Sequence, residues 1–466
     1  MPHASLLDDL AGIVGGEHVL TDADLRAGYE TDWTRRYHGE ALAVVRPGDA
    51  EQTAAVLARC AADGVPVVPQ GGNTGMVGAS VPRGNGMVVL SMRRLDHVGE
   101  VNAAGGQVSL GAGVTIARWR EVARAAGLDS PVDFGARDSA TVGGATATNA
   151  GGSRVVRFGT MRSQVMGVVA ALSTGATVGS LAGLPKETVG LHWPSLLAGS
   201  EGTLGVITAV RLRLVPWYRQ HAAALVALPL PVAVELLSVA RRQLPHLDAA
   251  ELLMADAMDV AAAHLGRTPP VHADQAAGVD TFVLLECADH DDPTAELAEA
   301  LAAVGGIADS AMASDPAGIA RLVEFRDRMA ESISTLGVPL KLDVATQPGR
   351  LPELIALAER AASSRGCHLV PFGHLAEGNV HVNLLGEPLG PGRYAPVDPA
   401  LADGLAEEIL TGVAGLGGTI SAEHGVGIAK AKWLPLVRRA DELAAAAAVK
   451  AALDPSGILN PGVLTP

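Results

Sequence analysis

Aromatic residues are scarce in this 466-residue chain: Phe, Trp and Tyr together make up 3%, although hydrophobic residues reach 48%. Its cores must therefore be built from Ala, Val and Leu rather than from large rings. Cysteine is equally sparse. Cys60, Cys287 and Cys367 are scattered, odd in number and free of any C-x-x-C spacing, which argues against a disulfide framework and fits a reducing compartment. Positive charge is in deficit, with 35 Lys and Arg against 50 Asp and Glu and a formal charge of −15. That balance argues against nucleic acid or an anionic membrane surface as partner. An anionic substrate would need locally placed cations. No basic-then-apolar leader opens the sequence, and no uncharged apolar run reaches membrane-spanning length, so a soluble, cytoplasmic protein is expected. The length exceeds what one ordinary core supports, and two or more domains are expected.

Glycine, by contrast, is abundant and concentrated. Val68-Pro69-Gln70-Gly71-Gly72-Asn73-Thr74-Gly75-Met76-Val77-Gly78 follows an apolar run over residues 65–68 that reads as a buried strand. Glycine permits positive φ and close backbone approach, and successive N–H groups in such a turn form a concavity suited to a pyrophosphate. The pattern is neither G-x-G-x-x-G opening a helix nor a P-loop ending in Gly-Lys-Ser/Thr. A plain surface loop would share its composition. Two further segments of the same character shift the balance: Val142-Gly143-Gly144-Ala145-Thr146-Ala147-Thr148-Asn149-Ala150-Gly151-Gly152, and Ala198-Gly199-Ser200-Glu201-Gly202-Thr203-Leu204-Gly205-Val206-Ile207-Thr208. Three such loops, each beside an apolar run, point to one extended ligand threaded between them.

Between the loops the chain alternates strand and helix. Residues 49–63 carry Ala54, Ala55, Leu57, Ala58, Ala61 and Ala62 at helical spacing and stop at Gly64. Strands are expected over 42–45, 87–90 and 108–110. A helix capped by Thr115 should run to Ala126, stopped by Gly127, and a hairpin should form around Thr174-Gly175. A long strand over 206–214 ends at Pro216-Trp217. From there the pattern restarts with strands near 222–228, 281–287, 339–344 and 368–372. Helices are expected over 231–242, 293–303, 319–334 and 351–363. This predicts an antiparallel sheet covered by helices on one side. Alanine-rich 443–453 reads as an ordinary helix.

Two histidine clusters lie in the C-terminal part. In Phe372-Gly373-His374-Leu375-Ala376-Glu377-Gly378-Asn379-Val380-His381-Val382-Asn383 the histidines are an odd number of positions apart. In one straight strand they would face opposite sides. They converge only if the chain turns between them, and Glu377-Gly378-Asn379 is turn chemistry. Imidazoles so converged suit a divalent transition metal. Two unrelated histidines at a strand end would read the same. The second cluster, Ser421-Ala422-Glu423-His424-Gly425-Val426-Gly427, sets a carboxylate beside an imidazole, offering a further ligand and a general base.

Taken in order, P-x-G-G-N-T-G, G-G-x-x-x-T-N-A-G-G and G-S-E-G-T-L-G-x-I-T resemble the FAD domain of the vanillyl-alcohol oxidase/p-cresol methylhydroxylase flavoproteins. The resemblance is to their D-lactate, glycolate and D-2-hydroxyglutarate dehydrogenase branch, and extends from Pro69 to Gly462. It implies an α+β fold: a two-subdomain FAD-binding domain over 1–217, a cap domain with an antiparallel sheet and the metal site over 218–420, and a segment over 421–466 that returns to the FAD domain. It also implies FAD contacts from Pro69, Gly71, Gly72, Asn73, Thr74, Gly75 and Gly78, then Pro131, Gly135, Ser139, Gly143, Gly144, Thr148, Asn149, Gly151 and Gly152, and finally Glu201, Gly205, Ile207 and Asn460. Members that attach FAD covalently through the first loop have histidine near the Asn73 position. Here that loop has no His, Cys or Tyr, so dissociable FAD is expected.

By the same resemblance His374, His381 and Glu423 bind a divalent metal, zinc, while His424 is the base and Asn383 touches substrate. Arg326 and Lys341 resemble the carboxylate-binding pair of the branch, Arg326 through paired hydrogen bonds and Lys341 as a point charge. The hydroxyglutarate-type pattern places threonine four residues after the arginine, where this chain has Ala330; Ser332 and Ser334 are the hydroxyls that could substitute. The expected reaction is oxidation of a D-2-hydroxy acid to its 2-oxo acid by hydride transfer to FAD, with D-2-hydroxyglutarate ahead of D-lactate. The electron acceptor stays open among an electron-transfer flavoprotein, a quinone and a cytochrome, and the oligomeric state stays open too, a homodimer among the options. Two other classes exist in this superfamily: a flavin-binding accessory subunit, which should lack the C-terminal histidine clusters, and a non-redox transferase.

Overall fold

The computed structural model describes residues 4–84, 86–273 and 278–465. The chain divides into two compact units. The first comprises Met1–Gly152, Phe158–Trp217 and Glu423–Pro466; the second comprises Ser153–Arg157 and Tyr218–Ala422. Among the described residues no helix is long and apolar enough to cross a membrane.

The first unit holds two four-stranded sheets. In one, Ala41–Val45, Met87–Ser91 and Val67–Gln70 run parallel, with Val19–Leu20 antiparallel at the edge. Val44, Val45, Val67, Val88, Val89 and Leu90 are fully buried, so these strands read as continuous apolar runs rather than alternating ones. The helix Ala50–Ala62 starts where the Asp49 carboxylate accepts from Gln52 N, and it turns its Val56, Leu57 and Cys60 into this core. Gly64, at φ 65°, stops it.

The other sheet is antiparallel, in the order Gln107–Gly111, Val206–Arg213, Val165–Ala171, Thr177–Ser180. The Thr115-capped helix Ile116–Ala125 drives Trp119 into its core with no exposed surface. Burial of a side chain that large contributes roughly 2–3 kcal/mol or more.

The second glycine segment does not stay a loop. Val142–Thr148 forms a short helix, capped by Thr141 and ended by Asn149 in the left-handed region at φ 54°. Its small residues are required by packing: a Cβ on Gly143 would lie 2.5 Å from Ala112 Cβ. Tertiary contact thus overrides the poor helix propensity of the glycines. The end of the chain also lies in this unit. Val67 N donates to Ile458 O and Asn460 N to Val67 O, a parallel bridge beside the strand that leads into the first glycine loop.

The second unit is built on a seven-stranded antiparallel sheet. Its strand order is Asp309–Ala313, Gln220–Leu228, Thr281–Asp289, Leu247–Met254, His368–His374, Asn379–Leu385, Leu340–Ala345. The one-sided helical cover expected from the sequence is a two-sided one. Ala255–Leu265, Pro316–Asp327 and Met329–Leu336 pack on the face that carries Leu225, Leu253, Leu284 and Phe372. Leu230–Gln243, Thr294–Ala302 and Leu351–Ser363 cover the other. Gln220–Leu228 accordingly shows seven consecutive buried residues, Ala222 to Leu228, instead of alternation. The single helix expected over 319–334 is broken at Arg328 into two.

Candidate functional site

In the first unit the three glycine loops are packed against one another by contacts that only glycine allows. A Cβ on Gly72 would sit 1.9 Å from the Ser139 carbonyl oxygen, and one on Gly71 would sit 2.3 Å from Thr141 Oγ1. Gly202, at φ 74°, lies against Pro69. Gly72 is therefore glycine because of the protein's own backbone, where the sequence pointed to the approach of a pyrophosphate. Asn73 takes up φ 57°, its amide donating to Thr31 O and accepting from Ser80 Oγ. Arg93 donates to the carbonyls of Gly71 and Gly72. Among the described residues the backbone N–H groups of Gly72, Asn73, Thr74, Gly75 and Met76 have no protein acceptor. A run of undonated N–H groups held in a rigid, side-chain-poor turn is what a phosphate-bearing cofactor requires.

Around this turn, Gly135 and Ser139 are exposed, Gly144, Thr148 and Asn149 half-buried, and Pro131, Gly143, Gly151, Gly152, Gly205 and Ile207 buried. Gly78, at φ 72°, would bring a Cβ within 2.8 Å of the Tyr37 ring. Two residues assigned to the cofactor have clear duties within the protein. Glu201 accepts from Val426 N and Gly427 N, 2.8 Å each, so it holds the loop that carries His424. Burial pushes its carboxyl above the usual range, against the pull of those two N–H groups. Asn460 accepts from Arg83 and donates to Ala79 O and Glu201 O. It joins the end of the chain to the first and third loops. Beside His424, Glu423 accepts from Gly152 N at 3.2 Å, and its Oε1 is 3.7 Å from His424 Nε2.

In the second unit the chain turns between the histidines. His368–His374 and Asn379–Leu385 are hairpin partners, with His374 opposite Asn379 and His381 opposite Phe372. Gly378 makes the turn at φ 64°, where a Cβ would strike Thr346 O at 2.0 Å. The two rings come to 5.5 Å between centroids. Register then aligns further residues on the same face, because directly opposed antiparallel residues share a side of the sheet. Glu251 is opposite His374, Asp343 opposite His381, and Lys341 opposite Asn383. Arg326, near the end of the helix Pro316–Asp327, lies over this face with its guanidinium 4.9 Å from the Phe372 ring. All the site residues that the sequence assigned to this unit (His374, His381, Asn383, Lys341 and Arg326) thus belong to one surface.

Two carboxylates behind the histidines were missed. His374 Nδ1 is 2.8 Å from Glu251 Oε1, and His381 Nδ1 is 3.6 Å from Asp343 Oδ1. Both acids are 2% exposed. On His374, the carboxylate hydrogen-bonded to Nδ1 keeps the proton there and the lone pair on Nε2, the form in which imidazole ligates a metal, whereas Asp343 lies near His381 Nδ1 without a hydrogen bond to it. This donor set fits a divalent transition metal. Asp343 is also the acceptor for Ala422 N at 3.1 Å, which fixes the residue immediately before Glu423. Glu251 further engages Arg326, Oε2 to Nε at 2.5 Å. The only signal for it in the sequence is a lone acid in the apolar run Ala249-Ala250-Glu251-Leu252-Leu253.

The suggested substitutes for the missing threonine do not serve. Ser332 Oγ donates to Arg328 O and Ser334 Oγ to Ala330 O, so both hydroxyl protons are held by their own helix. They offer an incoming carboxylate only lone pairs. Asn383 donates to the carbonyls of Val370 and His381 and is 2% exposed.

The sequence matches two known families. Residues 41–179 match an FAD binding domain, and residues 219–464 match the C-terminal domain of FAD linked oxidases. D-2-hydroxyglutarate dehydrogenase of Xanthomonas citri pv. viticola is 34% identical over 450 residues, 94% of this chain and 92% of that protein. The Stutzerimonas stutzeri enzyme of the same name is 31% identical, with 99% of both chains covered. In fold, a structure of p-cresol methylhydroxylase superposes with a TM-score of 0.75 at 15% identity, covering 99% of this chain and 96% of that one. The glycine-loop cradle, the hairpin-borne histidine pair and these matches along both units agree: the chain belongs to the FAD-linked oxidases and is an FAD-dependent oxidoreductase.

Proposed function

We propose that this protein oxidises a D-2-hydroxy acid to the 2-oxo acid, with D-2-hydroxyglutarate ahead of D-lactate as substrate. The observation that carries the reading is the shared sheet face on which His374, His381, Asn383 and Lys341 are aligned beneath Arg326. The relatives named D-2-hydroxyglutarate dehydrogenase support the choice of acid.

The three glycine loops would hold FAD, which would supply the acceptor for the C2 hydrogen as hydride. His374, His381 and Glu423 would hold a divalent metal, zinc, which would supply polarisation of the substrate hydroxyl and so lower its pKa. His424 takes the hydroxyl proton on an imidazole nitrogen as C2 becomes trigonal. Arg326 grips a carboxylate with its outer guanidinium nitrogens, Lys341 adds a compensating charge, and Asn383 faces the substrate through its amide oxygen. Local cations of this kind are required because the chain as a whole carries −15. The remaining cofactor contacts assigned from the sequence, from Pro69 to Asn460, belong to the same proposal. So do a cytoplasmic location, noncovalent FAD and an electron-transfer flavoprotein, quinone or cytochrome as acceptor.

The test is dye reduction by FAD- and zinc-loaded protein offered D-2-hydroxyglutarate, D-lactate and their L-enantiomers. The D-diacid should give the highest kcat/KM. Activity with none of the four, on protein shown to hold both FAD and zinc, would refute the assignment.

A further inference from the structure

Glu251 touches both His374 and Arg326, and the consequence of that double contact reaches beyond holding the His374 proton. It is 2% exposed and directly opposite His374 in the register, with one oxygen hydrogen-bonded to His374 and the other in ionic contact with Arg326. Oε1 is 2.8 Å from His374 Nδ1, and Oε2 is 2.5 Å from Arg326 Nε. On the far side of the same two groups, Arg326 Nη2 comes to 3.5 Å from His374 Nε2. One carboxylate thus holds the imidazole and the guanidinium from behind, and their outer nitrogens converge in front.

We infer that Glu251 is the positioning residue that joins the metal-ligating and carboxylate-binding halves of the site. The inference rests on the proposed function, since it assigns His374 to a metal and Arg326 to a substrate carboxylate. Hydrogen-bonded on Nδ1, His374 presents its Nε2 lone pair; drawn by its Nε side to the Glu251 charge, Arg326 turns its outer nitrogens toward the substrate. A buried acid between the two also offsets the charge of Arg326, whose accumulation beside a divalent cation would otherwise oppose metal binding. Because one group sets both orientations, filling either half pre-arranges the other. Metal and hydroxy acid should therefore bind cooperatively, each tightening the other by the same factor.

Glutamine separates the roles of shape and charge. If its oxygen accepts from His374 Nδ1–H, its amino group confronts Arg326 Nε–H, donor against donor. If it is reversed, the amino group donates to His374 Nδ1 and forces the proton onto Nε2. Either way one half of the site is lost.

The test uses FAD-loaded full-length protein. Zinc affinity is measured by chelator competition with and without saturating 2-oxoglutarate, together with KM and kcat. Glu251→Gln should weaken zinc binding about 10- to 100-fold, the range for loss of a carboxylate behind a ligating histidine. It should also raise KM at least about tenfold and abolish the zinc–oxo-acid cooperativity seen in the wild type, with flavin content unchanged. Glu251→Asp, which keeps the charge but withdraws it by one methylene, should lose the cooperativity too and serves if the glutamine variant does not accumulate. Wild-type zinc affinity and cooperativity in a folded variant would overturn the inference while leaving the metal site intact. A wild-type protein that takes up no zinc at all would overturn the metal reading beneath it.

Discussion

Glu286 allows a quantitative test of the second unit. It lies in the strand Thr281–Asp289 on the same face as Phe282 and Leu284, and among the described residues it forms no ion pair. Desolvation, then the charges of Asp248, Glu251 and Asp327, push its carboxyl from 4.5 up to about 8, and Arg154 only partly opposes this. The sign follows from linkage. The folded state keeps the proton to higher pH than the unfolded chain does. Stability from this group is therefore fully present below about pH 4.5 and is lost as pH rises to about 8. At about 1.36 kcal/mol per unit, the shift sets a ceiling of about 5 kcal/mol. Glu286 retains some solvent contact, which reduces the expected effect to about 2–3 kcal/mol. Glu286→Gln keeps the shape and removes the ionisation. Its melting temperature should match the wild type within about 2 °C at pH 5 and exceed it by about 5–10 °C at pH 8.5. Parallel thermal scans by circular dichroism from pH 5 to 9 measure that widening gap. A constant gap, or a less stable variant at pH 8.5, would refute the reasoning.

Gly72→Ala should lower flavin occupancy more than tenfold, because its Cβ falls 1.9 Å from Ser139 O and the first loop must move; the ratio of flavin to protein absorbance reads this directly. His424→Ala should reduce kcat by about 10²–10⁴ while zinc and FAD contents stay at wild-type levels, as expected for loss of a base; loss of metal in this variant would contradict its assigned role. Arg326→Glu should raise KM for any accepted hydroxy acid by more than about 100-fold, since a charge-assisted carboxylate contact becomes a repulsive one; steady-state kinetics that leave KM within threefold would remove Arg326 from the substrate site.

The glycine loops and the histidine hairpin were legible because each is encoded locally. Positive φ at Gly78 and Gly378 favours glycine whatever surrounds it, and the odd spacing of His374 and His381 lets them converge only through a turn, for which Glu377-Gly378-Asn379 supplies the chemistry. What could not be read depends on register. Glu251 sits in the strand Leu247–Met254, which was not anticipated: the strand is buried on both faces, so it shows no alternation, and its acid looks like an interruption. Only pairing with His368–His374 shows that it meets His374. The helix Val142–Thr148 was hidden for a related reason, as its stability comes from packing on Ala112 rather than from its own residues. The break at Arg328 carries no proline or glycine and left no mark either.

The bridge between Val67 and residues 458–460 bears on the order of synthesis. A ribosome makes the first glycine loop early, yet the strand segment that flanks it, together with Asn460 and its bonds to Arg83, Ala79 and Glu201, emerges only after residues 218–422. Residues 218–422, which supply nearly all of the second unit, are complete well before that. The nascent chain can therefore close its later-encoded unit first, while the flavin cradle waits, part-built, for residues 458–460. Lys450 then fastens the closure by donating to Thr203 O and Leu459 O. The cradle is in this sense finished after the sheet it serves, and a chain cut short before residue 458 would keep every strand of that sheet and lose the bridge to Val67.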